Sequence, residues 1–172
     1  MKRMLRLSLC AASVLAAAGP ALAHVDLVND QASPGEFIAT FQVPHGCDGA
    51  ATTAIRIQIP AGVYDVKPMP EPGWKLGIKT GKYPTAFTDG GQSLTQGVTE
   101  VDFTNGNLPD NEYQQFIVYM TLADSLAKGS TVYFPVVQEC EKGAVVRWIQ
   151  IPAAGKSEDD YPNPAPGLTI TG

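Results

Sequence analysis

The sequence predicts an all-β fold, a single β-sandwich of the Ig-like or cupredoxin-like kind, and three observations predict it. Short runs of alternating apolar and polar residues recur along most of the chain. Turn-forming residues separate those runs, with 17 Gly and 14 Pro among 172 residues. No stretch of helical periodicity competes with them in strength. Seven candidate strands, at residues 37–43, 54–59, 74–79, 100–104, 113–121, 131–137 and 145–151, match what a small sandwich needs.

The first element is a targeting segment. Cationic Met1-Lys2-Arg3-Met4-Leu5-Arg6 precedes an apolar stretch over residues 7–18 and the helix-breaking pair Gly19-Pro20, the layout of a secretory signal peptide. Ala21-Leu22-Ala23 puts small residues at both positions read by a signal peptidase, so cleavage is expected after Ala23 and His24 becomes the first mature residue. The apolar stretch is too short for a permanent anchor, and no later one is long enough to span a bilayer. The expected organisation is a signal peptide over 1–23, a sandwich domain over 24–155 and an extended tail over 156–172. A periplasmic or secreted location follows.

Cleavage removes Lys2, Arg3 and Arg6 and no acidic residue, which moves the formal net charge from −5 by three units to −8. An acidic surface argues against nucleic acid and anionic lipid as partners and is compatible with attracting cations. Cys10 leaves with the signal, so Cys47 and Cys140 remain as a pair in an oxidising compartment, where a disulfide is expected.

In the strand over 54–59, alternation sends Ile55, Ile57 and Ile59 to the core and Arg56 and Gln58 to water, and Pro60 ends it. The segment Lys67-Pro68-Met69-Pro70-Glu71-Pro72-Gly73 has too few backbone donors for a sheet and reads as a rigid loop leading to Trp74, which packs at the core edge. Residues 122–128 read as a short helix or turn stopped by Gly129. From Ala153 onward, the acidic run Ser157-Glu158-Asp159-Asp160 and the prolines after it offer little to bury.

An N-terminal His carries an α-amine and an imidazole Nδ1 that can close one chelate ring on a metal. The α-amine releases its proton more readily than a lysine, with a pKa roughly two units lower. Nitrogen donors of this kind favour Cu(II). Only Met69 and Met120 remain as thioethers after cleavage, which disfavours a methionine-based Cu(I) carrier. His45, in Pro44-His45-Gly46-Cys47, reads either as a surface-loop residue or as the second imidazole of a two-histidine brace, the arrangement of copper oxidases. A structural sandwich in which His24 has no metal role is the third reading. The chain holds no Gly-x-Ser-x-Gly elbow, His-Glu-x-x-His helix or phosphate loop, and no enzyme activity is expected.

Several motifs in order, His24-Val25, Val43-Pro44-His45-Gly46-Cys47-Asp48-Gly49, Pro72-Gly73-Trp74, Leu108-Pro109-Asp110, Phe134-Pro135 with Gln138-Glu139-Cys140, and Trp148, resemble the YcnI-like family of exported copper-binding proteins. The resemblance covers nearly all of the chain after residue 23. It implies a sandwich that binds one Cu(II) through a mono-histidine brace: the amine and imidazole of His24, a glutamate matched by position to Glu112 with Glu100 in reserve, and a tryptophan matched to Trp148. It also implies a role in copper acquisition, storage or delivery, with a membrane copper transporter or a periplasmic copper chaperone as partner. Unlike some members, this sequence carries no C-terminal membrane anchor, and it has Val101-Asp102-Phe103 where members often carry a tryptophan.

Overall fold

Strand pairing sorts the alternating segments into three sheets in the computed structural model, which describes residues 24–172. The expected signal peptide lies outside the described residues. The strands are β1 Asp26–Leu27, β2 Gln31–Ala32, β3 Gly35–Val43, β4 Thr52–Gln58, β5 Val63–Pro68, β6 Lys75–Asp89, β7 Gln92–Leu108, β8 Gln114–Leu122, β9 Thr131–Tyr133, β10 Val136–Cys140, β11 Val145–Trp148 and β12 Gly167–Ile170. One sheet has the order β1-β3-β8-β5, a second β11-β10-β4-β7-β6, and a small third β2-β12-β9.

The first two sheets pack face to face over a core that mixes their inward residues: Phe41, Phe116, Val118 and Met120 from one, Ile55, Ile57, Phe103 and Val136 from the other. Phe103 and Phe116 meet across the interface with ring centroids 4.8 Å apart. Ile55 and Ile57 are buried and Gln58 is exposed, as the period of two requires. Trp74 is half-buried at the core edge, its ring edge-on to Phe116 at 4.9 Å, and it lies directly over Gly106, where any Cβ would run into the indole. Cys47 and Cys140 form the expected disulfide, with Cα atoms 6.1 Å apart. No helix of the described residues is long and apolar enough to cross a membrane.

Three differences from the expected elements have physical causes. The predicted strand at 131–137 is two strands, because Pro135 has no N–H to continue a ladder; the chain passes from the third sheet into the second there. The strand over 63–68 was hidden by a bulge at Asp65, whose φ of 50° adds a residue and turns both Val63 and Val66 inward although they stand three apart. Beyond Leu122, which ends β8, the 122–128 segment takes the turn form of the two expected there, Leu126 N–H bonding Ala123 O and Ser130 N–H bonding Ala127 O. Strands β6 and β7 run well past the sandwich as a mostly exposed hairpin, held near its far end by Phe87 stacking on Tyr64 at 4.6 Å and meeting Tyr83 edge-on at 4.9 Å.

The segment over 156–172 is extended, but it is part of the core rather than a tail outside it. Strand β12 pairs in parallel with β2 and antiparallel with β9, and Ala165, Leu168 and Ile170 are fully buried. Upstream of it, Asn163 bonds the backbone of Ile149 and Gln150, so this segment also backs the strand that carries Trp148.

Candidate metal centre

Register decides which loops share a corner. Asp26 of β1 lies opposite Gln42 near the end of β3, and Val43 lies opposite Gln114 at the start of β8. His24, the 44–50 loop and the 109–113 turn therefore leave the first sheet at the same end. The disulfide ties that loop to the end of β10. Gly46 permits the closeness: a Cβ there would collide with Ala50 O and stand 3.1 Å from Asp110 Cα, so the 44–50 loop and the 109–113 turn pack backbone against backbone.

His24 is half-buried, and its Nε2 is buried with no hydrogen-bond partner among the described residues. Its ring lies against Trp148, centroids 5.6 Å apart and planes tilted by 58°. The two come from different sheets, His24 preceding β1 and Trp148 ending β11, so the contact closes one open edge of the sandwich. The indole N–H donates to Gln138 Oε1 at 3.0 Å, and Gln138 Nε2 donates at 2.8 Å to both the His45 carbonyl and Thr52 Oγ1. Gln138 is buried, and no reading of the sequence singled it out for a role of its own. The signal was present: in Val136-Val137-Gln138-Glu139-Cys140 the disulfide fixes Cys140 inward, and a period of two then turns Gln138 inward as well.

The structure brings His24 and Trp148 together. Glu112 is exposed on the turn after Leu108, its N–H bonded to Pro109 O at 3.0 Å. Glu100 is on the solvent side of β7, ion-paired to Lys79, opposite Gln58 in the ladder. Three strand steps separate the row of Trp148, Val136, Ile57 and Val101 at its two ends, and Glu100 stands beside the far end of it. His45 turns Nδ1 toward Gly46 O at 2.5 Å. Among the described residues no group of three or more His, Cys, Asp or Glu side chains is gathered closely enough to hold a metal.

A carboxylate cluster adjoins His24. Asp26 is held above the ordinary carboxylate range by burial, with His24 opposing the shift and Asp159 and Asp30 adding to it. Glu158 is raised by burial first, then by Asp26, Asp30 and Asp159. Asp26, Asp30, Gln42 and Glu158 line a cavity of about 260 Å³. This concentrates negative potential beside the imidazole.

The profile of a family described as a domain of unknown function, DUF1775, matches residues 24–170, from His24 through β12. The chain belongs to the DUF1775 family. DUF1775 is the YcnI family that the motifs resemble, and its description assigns no ligand. An uncharacterised protein from Nocardia farcinica with an immunoglobulin-like fold superposes with a TM-score of 0.64 at 30% identity, covering 87% of this chain and 99% of its own. A DUF4466 family protein from Parabacteroides merdae aligns with a TM-score of 0.31 at 11% identity, over 76% of this DUF1775 chain and 45% of its own. No curated protein matches.

Proposed function

We propose that this DUF1775 protein is an exported, non-enzymatic carrier of Cu(II), which it binds through a mono-histidine brace at His24. The observation that carries the reading is the place of His24: it stands at the head of the matched domain, half-buried beside Trp148, with a buried Nε2 that no described residue satisfies. A buried nitrogen without a partner costs about 1–3 kcal/mol. An imidazole that gives Nδ1 to a metal keeps its proton on Nε2, so the buried Nε2 leaves Nδ1 as the nitrogen for the metal.

In this proposal, cleavage after Ala23 frees the amine that completes the chelate. Glu112 supplies a carboxylate from the turn at the same end of the sheet, and two strand spacings, about 10 Å, separate the corresponding backbones. That span suits an imidazole and a carboxylate reaching toward one another. Trp148 covers the imidazole and limits water. The carboxylates of Asp26, Asp30 and Glu158 raise the local concentration of cations without ligating. The disulfide fits the oxidising compartment that this location supplies. His45 directs Nδ1 at its neighbour's carbonyl, so the two-histidine alternative would have to use its Nε2.

Calorimetric titration with Cu(II) tests the reading. One equivalent should bind the protein that begins at His24, His24→Ala should abolish that event, and Glu112→Gln should weaken it. Stoichiometric binding that survives His24→Ala would overturn it.

A further inference from the structure

Trp148 carries the one polar atom that could alter how an indole acts beside a metal, its N–H, and that atom is committed elsewhere. Gln138 is 1% exposed and makes three hydrogen bonds, and their partners leave its amide only one orientation. The His45 carbonyl can only accept, so the amide nitrogen faces it; the indole N–H can only donate, so the amide oxygen faces Trp148. Rotating the amide would set oxygen against oxygen at one end and N–H against N–H at the other. The polar switch is therefore locked.

Resting on the reading of His24 as a Cu(II) site, we infer that Gln138 is a positioning residue: it draws the Trp148 N–H away from the metal so that carbon atoms of the indole face His24. The lock also reaches the 44–50 loop through the His45 carbonyl and reaches β4 through Thr52, whose hydroxyl lies 3.7 Å from Cys140 Sγ. One side chain of β10 thus joins the tryptophan, the loop at the end of β3 and the start of β4. A free indole N–H would donate to a metal-bound water or carboxylate and hold solvent at the site. An indole whose N–H is held by Gln138 instead offers ring carbons, which exclude water and disfavour any ligand entering over that side.

The test uses protein beginning at His24 and carrying Trp74→Phe, which makes Trp148 the sole indole among the described residues. Gln138→Met removes the bond at similar size, and Gln138→Glu keeps an acceptor for the indole. Cu(II) affinity should fall by about tenfold in Gln138→Met, a typical loss for a residue that orients a metal's surroundings. Quenching of Trp148 by Cu(II) and the copper electron paramagnetic resonance spectrum should change with it, and Gln138→Glu should return the Trp148 emission toward that of the parent. A Gln138→Met protein with a lower melting temperature but affinity within about twofold and an unchanged copper spectrum would reduce Gln138 to a packing residue and overturn the inference. Should that variant not fold, exchange of the indole N–H in the parent decides the matter: slow exchange before and after Cu(II) is expected, and exchange at the rate of a free indole refutes the lock. Absence of Cu(II) binding by the parent, with slow indole exchange, would fail the carrier reading alone.

Discussion

Replacing both Cys47 and Cys140 with Ala removes the single covalent link between the 44–50 loop and β10. The two residues stand 93 apart in sequence. In the chain-entropy treatment, a closed loop of that length restricts the unfolded chain by about 4.6 kcal/mol at 25 °C. The folded side adds little to the loss, because β10 stays paired to both β4 and β11 and Gln138 still holds the His45 carbonyl. For a domain of this size that loss corresponds to roughly 10–18 °C in Tm. Urea unfolding followed by circular dichroism should show a lower midpoint together with a steeper slope, since the unlinked chain exposes more surface when unfolded. A loss below about 1 kcal/mol with an unchanged slope would refute the claim that the link acts on the unfolded state, and would mean that the loop and β10 are held together by packing alone.

Other substitutions probe the fold around the site. Glu158→Gln should raise Tm at pH 7 by about 1–3 °C. Its carboxyl is raised in the folded state, so it contributes stability below its unfolded pKa and loses it as pH rises through the folded value; the gain from the variant should therefore vanish near pH 3 in a pH series of thermal melts. Arg56→Met should cost roughly 1–3 kcal/mol, since Arg56 bonds Glu139 at 2.7 and 3.2 Å and reaches buried Asp102 at 3.2 Å. Arg56 holds the Glu139 carboxyl below its ordinary value, which gives stability above the unfolded pKa that is lost as pH falls, so this variant should also flatten the acid limb of a stability–pH curve. Gly46→Ala should cost about 1–3 kcal/mol by chemical denaturation, because its methyl group must displace either Ala50 O or the 109–113 turn.

The sandwich was legible wherever alternation was uninterrupted. Ile55 and Ile57, or Phe41 and Val43, announce an inward face directly. The sequence was opaque where geometry broke the period: at the Asp65 bulge between Val63 and Val66, at Pro135, and in the distal β6–β7 hairpin, where both faces meet solvent and no pattern is required. Strand β12 escaped notice because Leu168 and Ile170 are too few to show a period, and only the groove between β2 and β9 makes them core. At the candidate centre, the pairing of His24 with Trp148 could be anticipated from the motifs. The acidic group around Glu158 could not, because Asp26 and Glu158 meet only after the C-terminal segment folds back beside β1.

The most direct test compares Cu(II) binding by protein beginning at His24 with protein carrying one additional Ala before it, by titration and by electron paramagnetic resonance. The extension leaves every side chain in place and converts the amine into an amide. The account predicts weaker binding by at least about a hundredfold, the loss expected when a chelate gives up one of its two nitrogen donors, with a changed nitrogen hyperfine pattern. Equal affinity and identical spectra for the two proteins would contradict it.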